Sequence, residues 1–452
     1  MNDERVIGKR QEAKDRIKNF DEVELGYTKE EAQKEANRCL QCANPRCIKG
    51  CPVNIEINKF IKEIKEDNLE KAYEIILKSS SLPAICGRVC PQEKQCESMC
   101  IKGLKSDAIA IGFLERYVAD YAIKNNLTIN EKITKKDKKI AIVGSGPASL
   151  TCASTLAKEG YNVTIYEVFH KPGGVLIYGI PEFRLPNNIV EREIENLKKL
   201  DVEIKTNTPI GNSITLDELS NEYDAVFLGT GAGLPKFMNI KGEEGNQVFS
   251  ANEILTRINL MNAYKKDAKT PIKKAKKAIV VGGGNVAMDT ARSLKRLGIE
   301  THIMYRRSME ELPARKMEVL HAKEEGIIFD ILETPKEIVL DDDNNVIGIN
   351  AVNMILGEVV DNRRSVTEDN TSQHYVKCDM VVMALGTEPN HLALKNSNIE
   401  LTEKGLIAVD GTKTSLKNVF AGGDAVTGSA TVILAMEAGK KAAQDIIEYL
   451  EK

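Results

Sequence analysis

Residues 139–167 read KIAIVGSGPASLTCASTLAKEGYNVTIYE. KIAIV has the apolar run of a buried strand, GSGPAS is a glycine turn, a helical stretch follows to Lys158, and VTIY is a second strand ending at Glu167. The pattern is strand, turn, helix, strand, the unit of a doubly wound α/β sheet. Gly144 suits the tight turn, and Gly146 lets the backbone approach a pyrophosphate. Pro147 and Ala148 open the helix, whose N-terminal N–H groups would face the phosphates. Ser149 stands at the third glycine position, a mild departure from the pattern. Glu167 lies 23 residues beyond Gly144, where a carboxylate accepts from ribose hydroxyls. That is the arrangement expected for FAD or NAD.

The unit recurs further along. After a Lys-rich linker at 265–277 come AIVV, GGGNVA, a helix to Leu297 and THIMY. Gly282, Gly284 and Ala287 hold the fingerprint positions, and Asn285 and Val286 open the helix. The residue 23 beyond Gly282 is Tyr305, followed by Arg306 and Arg307, with no acid. Guanidinium groups pair with a 2′-phosphate that a carboxylate would repel, so the second site reads as NADP(H) rather than NAD. The alternative is a pair of solvated arginines at a strand end. VFLGTGAG (226–233, with Gly231) and VVMALGTEPN (381–390) are strands ending in small-residue turns. VFAGGDAVTG (419–428) places Gly423 and Asp424 after a strand, with Asp424 in reach of a flavin ribityl or phosphate group. The FAD domain is then split, with the NADP domain inserted into it.

Eight of the ten cysteines precede both units, in CLQCANPRCIKGCP (39–52) and CGRVCPQEKQCESMC (86–100). Such density has metal-ligand spacing, and a run closing in Cys-Pro is similar to that of two-cluster ferredoxins. Two zinc sites are the rival, but structural zinc usually pairs C-x2-C units and only one is present. Residues 1–125 otherwise read as mostly helix. Thr28 and Glu31 form a capping box before Ala32, Ala36 and Leu40, and Ile57, Phe60, Ile61, Ile64, Tyr73, Ile76 and Leu77 form apolar stripes. Cys152 and Cys378 stand alone in apolar segments as inert packing thiols. The five histidines show neither ligand spacing nor a triad partner, and no C-x-x-C lies between Gly282 and Cys378, as a thiol–disulfide reductase would need.

At 452 residues the chain is too long for one core, and roughly three domains is the prior. A net charge of −3 suggests neither nucleic acid nor a membrane surface as partner. The uncharged stretch 140–157 approaches transmembrane length but is the first nucleotide turn and its helix. MNDERVIGKR lacks the apolar region of a signal peptide, so the expectation is a reducing cytoplasmic setting, where clustered cysteines are ligands. The charged run KITKKDKK (132–139) reads as a solvated linker. The expected fold is α/β: a helical double-cluster domain at 1–134, an FAD-binding domain at 135–255 and 386–452, and an NAD(P)-binding domain at 256–385.

The two cysteine motifs, GGVLIYGIPEFRLP (173–186), VVGGGNVAMDTARSLKRLG (280–298), YRRSMEELPAR (305–315) and FAGGDAVTGSATVILAMEAGKKAA (420–443) together resemble the glutamate synthase small-subunit family. That family includes the flavin half of dihydropyrimidine dehydrogenase and the large subunit of NADH-dependent ferredoxin:NADP oxidoreductase. The spacing from Cys90-Pro to Cys96 looks closer to the ferredoxin:NADP oxidoreductase and sulfide dehydrogenase branch.

The resemblance implies FAD, NADP(H) and two [4Fe–4S] clusters. Cys39, Cys42, Cys47 and Cys100 would hold one cluster. Cys51, Cys90 and Cys96 would hold the other, with Glu115 as its fourth ligand and Cys86 as a bystander. Without the resemblance Glu115 is a surface helix carboxylate. The loop 173–186 is punctuated by glycine and proline, and Tyr178 and Arg184 read as exposed; the resemblance places it against the flavin ring, with Gly174 and Leu176 as first contacts and Arg184 among the cofactor-binding residues. Gly231, Gly423, Asp424, Thr431 and Val432 complete the implied FAD site.

Hydride would pass between NADP(H) and flavin, and single electrons through the clusters to a partner electron-transfer or amidotransferase-type subunit, or to ferredoxin. Bifurcation would depend on flavin potentials. The chain has no early cysteine nucleophile and no room for an amidotransferase or FMN barrel, so a partner subunit is expected. The alternatives are the NADPH-oxidising small subunit of glutamate synthase and a non-enzymatic redox sensor.

Overall fold

The computed structural model describes residues 4–127, 133–360 and 363–452. Lys132, the first residue of the charged linker, lies outside them. The N-terminal region is helical, with main helices Lys29–Asn37, Ile57–Lys65, Leu69–Leu77, Pro83–Val89 and Ile111–Lys124. The capping box is present: Thr28 accepts from the Glu31 N–H, and Glu31 accepts in return from the Thr28 N–H. Helix Lys29–Asn37 then ends before Leu40, which is 60% exposed rather than part of the buried stripe. Three residues past a helix end, the 3.6-residue period no longer sets the side chain's direction. The other stripes do face inward: Ile57, Phe60, Ile61, Ile64 and Ile76 are buried.

Two parallel five-stranded sheets follow. The first has the spatial order Val419–Ala421, Ala225–Leu228, Lys139–Val143, Asn162–Tyr166, Glu203–Lys205. The second runs Ile328–Ile331, Glu300–Tyr305, Lys277–Val281, Met380–Met383, Val248–Ser250. The central strands are apolar at nearly every position because helices cover both faces of a parallel sheet. The first sheet takes its edge strand Val419–Ala421 from beyond the whole second sheet, so the first domain is split around the second. The outward and return connections meet as a short antiparallel pair, Leu234–Pro235 with Thr387–Glu388. An antiparallel sheet, 333–377, is inserted before the strand Met380–Met383.

The helical region and the first sheet share one hydrophobic core, in which Ile61, Ile85 and Leu114 are continuous with Ile142, Leu150 and Met436. The second sheet has cores of its own. Helix Val432–Leu450 lies directly on helix Pro147–Lys158. A Cβ at Gly439 would fall 2.0 Å from the Ala148 carbonyl oxygen, so only glycine permits this approach. Cys152 and Cys378 are buried in apolar surroundings; burial raises both thiols, Cys378 to about 12. Among the described residues no helix is long and apolar enough to cross a membrane.

Glu193 is buried at the seam between the helical region and the first sheet, where it accepts from the Ala84 N–H at 3.0 Å. Burial pushes its carboxyl up to about 7, against the lowering effect of that hydrogen bond. The unfolded chain releases this proton near pH 4.3, roughly. The stability it contributes is therefore full below that value and lost as pH rises through about 7. Glu193→Gln should remove this slope. Urea midpoints of wild type and variant between pH 5 and 7.5 should draw apart with pH; a constant difference would count against the assignment.

Candidate active site

The first glycine turn is built by backbone contact. Gly144 has φ +90°, and a Cβ there would lie 2.7 Å from the Gly229 carbonyl oxygen. Gly146 caps helix Pro147–Lys158 with extended backbone, and nothing lies within 4 Å of where its Cβ would be. The helix N-terminus therefore opens onto free space suited to phosphate. The departure at Ser149 has a local compensation. The side chain sits against Gly229, where a Cβ would be 2.2 Å from the Ser149 hydroxyl, so the missing glycine is supplied from the neighbouring strand end.

Glu167 is 3% exposed. One carboxylate oxygen accepts from the Ser145 N–H at 3.0 Å and from the Ser145 hydroxyl; the other accepts from the Phe169 N–H at 2.8 Å. Burial raises its pKa and these hydrogen bonds oppose the rise. The Ser145 hydroxyl also accepts from the Gly173 N–H at 2.8 Å, which ties the loop 173–186 to the turn. Gly174, at φ +54°, crosses directly over Gly146: a Cβ there would lie 2.9 Å from the Gly146 Cα. Leu176 is fully buried in the shared core. From the other side Gly423, at φ +70°, approaches Ala148. Asp424 follows it and accepts from the Ala430 N–H at 3.1 Å, with its carboxyl pushed up to about 6 by burial. The Thr431 hydroxyl, at the start of helix Val432–Leu450, is buried without a hydrogen-bond partner. Gly231 is open at φ +69°, beyond the strand that backs Gly144. Gly144, Gly146, Ala148, Gly174 and Gly423 thus converge on one turn.

Arg184 does not join them. Its side chain is 8% exposed rather than open, and the guanidinium is committed to Asp289 and Glu318 of the second nucleotide unit. Asp289 and Glu318 leave it no charge to offer a flavin. Tyr178 is half-buried, edge-on to Phe169 at 5.6 Å.

The second turn repeats the first. Gly282 has φ +140° with a hypothetical Cβ 2.3 Å from the Ala384 carbonyl oxygen, and Gly284 opens on free space. Asn285 begins helix Asn285–Arg296 and accepts from the Arg315 N–H at 2.9 Å; Val286 is 41% exposed beside it. Arg306 is exposed at the strand end, while Arg307 donates to the Arg364 carbonyl at 2.8 Å.

Two thiol groups occupy separate places. Cys39, Cys42, Cys47 and Cys100 line one pocket of about 430 Å³ with Leu40, Ile57 and Ile111. Cys51, Cys90, Cys96 and Glu115 are buried together. Burial raises Cys51 to about 11, with the Glu115 charge adding to it, and burial, Glu97, Cys51 and Glu115 raise Cys96. Glu115 is no surface carboxylate: it is 6% exposed, one oxygen has no hydrogen-bond partner, and burial followed by the Glu193 charge pushes it to about 8. An orphaned acid among three thiols is an anionic donor set that a cationic iron centre would satisfy. Among the described residues no three donors crowd round one point as ligands of a single ion do. A [4Fe–4S] cluster instead takes its ligands from separate irons. Cys86 lies beside Cys90, but its sulfur is 3.4 Å from Met436 Sδ and 3.9 Å from the Ser80 hydroxyl.

Sequence reasoning missed one feature, a buried ionic network. Glu325 takes Arg16, Arg292 and Arg296; Glu318 takes Arg184 and Arg292. The guanidinium of Arg296 lies 3.8 Å from the centre of the Phe183 ring, and that of Arg292 4.6 Å. Helical phase hid it: Asp289, Arg292 and Arg296 recur on the face opposite Ala287, Ala291 and Leu294, where periodicity alone expects solvent, yet both faces are buried.

The turns, the loop across the first of them and the cysteine groups define an iron–sulfur pyridine-nucleotide oxidoreductase. Residues 138–439 match the family described as pyridine nucleotide-disulphide oxidoreductase, and 16–127 match dihydropyrimidine dehydrogenase domain II, 4Fe-4S cluster. The chain is 34% identical to the glutamate synthase [NADPH] small chain of Escherichia coli, over 96% of its own length and 94% of that protein's. It is 39% identical to the NADP(+)-dependent formate dehydrogenase subunit beta of Moorella thermoacetica, over 90% of this chain and 60% of that one. A further relative, the NADPH-Fe(3+) oxidoreductase subunit beta of Geobacter sulfurreducens, is 35% identical over 97% of this chain and 68% of its own. The chain therefore belongs to the pyridine nucleotide-disulphide oxidoreductase family, within the group that contains the glutamate synthase small chains. Among solved structures, Mycobacterium tuberculosis FprA in complex with NADPH shares the fold, with TM-score 0.60 and 19% identity over 70% of this chain and 85% of that one.

Removing one partner of a buried pair costs about 3–5 kcal/mol, because the other charge is left uncompensated. Arg184→Ala should therefore destabilise the protein by about that amount. Adding Asp289→Ala to it should recover part of the loss, as denaturant midpoints of the single and double variants would reveal.

Proposed function

We propose that the chain is the FAD-dependent subunit of an NADPH oxidoreductase that moves electrons between NADP(H), FAD and two [4Fe–4S] clusters, and onward to or from a partner subunit or ferredoxin in the cytoplasm. The observation that carries this reading is the common core: the buried Cys51, Cys90, Cys96 and Glu115 set belongs to the same packed unit as the first nucleotide turn. A bound flavin supplies hydride exchange with a nicotinamide and one-electron exchange with iron–sulfur centres.

The protein's part is binding and orientation. Gly144, Gly146, Pro147 and Ala148 would admit the flavin pyrophosphate, and Glu167 the ribose. Gly174, Leu176, Gly231, Gly423, Asp424, Thr431 and Val432 would enclose the remainder. The unpartnered Thr431 hydroxyl is a donor still free to meet a ligand. Gly282, Gly284, Asn285 and Val286 would seat the second pyrophosphate, with Arg306 and Arg307 at the 2′-phosphate. Cys39, Cys42, Cys47 and Cys100 would hold one cluster. Cys51, Cys90, Cys96 and Glu115 would hold the other, with Cys86, turned to Met436, outside the set. The proposed domain division is 1–134, 135–255 with 386–452, and 256–385.

Which enzyme the subunit serves is a finer question. Named relatives include subunits of glutamate synthase, formate dehydrogenase and an Fe(3+) oxidoreductase, so a partner chain is part of the proposal. The Cys90–Cys96 spacing favours a ferredoxin-coupled or bifurcating complex. The near full-length match to glutamate synthase small chains favours the NADPH-input half of that enzyme. Anaerobic isolation of the native complex separates them by the mass of the co-purifying chain.

The nucleotide assignment has its own test. Arg306→Ala with Arg307→Ala should raise the KM for NADPH about tenfold or more, the worth of one or two charge-assisted hydrogen bonds. NADH should bleach the flavin of wild type and variant equally. An unchanged KM for NADPH would remove these arginines from the site.

A further inference from the structure

Segment 312–315, Leu-Pro-Ala-Arg, lies between the second nucleotide turn and the loop that joins Cys90 to Cys96. On the nucleotide side its backbone is held by the turn itself. The Ala314 N–H donates to the Gly283 carbonyl at 3.3 Å, and the Arg315 N–H donates to the Asn285 side-chain oxygen at 2.9 Å. Leu312 packs on Gly283, where a Cβ would meet it at 2.8 Å.

On the other side the same segment grips the cysteine loop. The Arg315 guanidinium donates to the Arg88 carbonyl at 3.2 Å, to the Gln92 side-chain oxygen at 2.9 Å and, at 3.4 Å, to Glu93. Lys94 donates to the Pro313 carbonyl at 3.2 Å.

Gln92 carries the connection inward. It is 6% exposed, and its amide donates to the Cys86 carbonyl at 3.1 Å, which also accepts from the Cys90 N–H. Its backbone carbonyl accepts from Gln95 and Glu97 on the way to Cys96. Its side chain rests on Gly112, where a Cβ would fall 2.4 Å from the amide nitrogen, and Glu115 lies one turn further along that helix. One arginine thus has its backbone on the nucleotide turn and its charge on Gln92, whose hydrogen bonds run to the backbone beside Cys90 and Cys96.

We propose that Arg315 is a positioning residue that couples the two sites, so that occupancy of the NADP(H) site changes the electron affinity of the cluster held by Cys51, Cys90, Cys96 and Glu115. The proposal rests on the functional reading above. A phosphate that accepts from the Asn285 amide N–H turns the side chain whose oxygen holds the Arg315 N–H. Any shift of Arg315 alters the hydrogen bonds and positive charge that the cysteine loop receives, and both set a cluster's potential. The coupling is reciprocal: the oxidised and the reduced cluster must bind the nucleotide with different affinity.

The test uses the holoprotein and 2′-phospho-ADP-ribose, which carries the phosphates but no reducible ring. Its Kd is measured on oxidised and on fully reduced protein, and the reduced-cluster EPR signal is followed against poised potential with and without it. Wild type should show a Kd ratio of about fivefold or more and a matching displacement of the EPR titration. In Arg315→Gln the ratio should fall to about one and the displacement vanish, with flavin and iron content retained. Gln92→Met, which keeps the volume and deletes the relay, should do the same. A wild-type ratio of one, or variants that keep the wild-type displacement, would overturn the coupling. Protein that binds no iron, or whose flavin NADPH fails to bleach, would instead overturn the functional reading.

Discussion

Glu325 is the ionic centre on which the arrangement of the three units depends. It is buried, and Arg16, Arg292 and Arg296 all direct guanidinium nitrogens to it within 2.7–2.9 Å. Burial alone would raise this carboxyl; the arginines hold it down at about 2. A charge so placed tolerates no loosening of its partners, because any one that left would expose the rest to an uncompensated desolvation cost. Arg16 comes from the N-terminal arm and Arg292 from the second nucleotide helix. Arg292 also reaches Glu318, which in turn holds Arg184 of the loop across the first turn. The cysteine region, the first nucleotide unit and the second are therefore linked by one continuous set of charges.

That constraint explains a division of labour in packing. The helical region and the first sheet are joined through apolar burial and share a core, which fixes the thiol groups relative to the first nucleotide turn. The second sheet has its own cores; Phe20 of the N-terminal arm packs on one of them, and ions and hydrogen bonds make the other ties. Apolar seams are indifferent to small rotations, whereas forked guanidinium–carboxylate pairs specify direction. A unit that must present a nicotinamide to one face of a flavin gains more from orientation than from additional buried area.

Legibility in the sequence followed the same division. Periodicity and glycine spacing located the strand–turn–helix cores of both parallel sheets, their glycine turns and the split of the first domain, because these depend on local backbone geometry. The stripe that included Leu40 failed where the helix ended at Asn37: period alone does not say where a helix stops. Arg184 was read as exposed because an arginine in a Gly/Pro-punctuated loop usually is; its partners Asp289 and Glu318 lie more than a hundred residues away and leave no mark nearby. Ser149 looked like a weakened fingerprint until Gly229 supplied the missing space from another strand. Glu115 could be named only through resemblance, since nothing about a glutamate in LERY distinguishes a buried ligand from a solvated one.

Glu115 stands apart from the buried acids of the ionic network. Glu318 and Glu325 are fully met by arginines, which hold both at about 2, so they are spent on holding the fold. Glu115 has an oxygen with no hydrogen-bond partner and a pKa pushed to about 8, with thiols rather than cations for neighbours. Glu193 at least accepts from the Ala84 N–H and Asp289 is paired with Arg184, whereas an unpartnered buried acid costs stability at every pH where it ionises. The unpartnered acid beside Cys51, Cys90 and Cys96 therefore points to a cationic centre, which is what one-electron chemistry adjoining a flavin site requires.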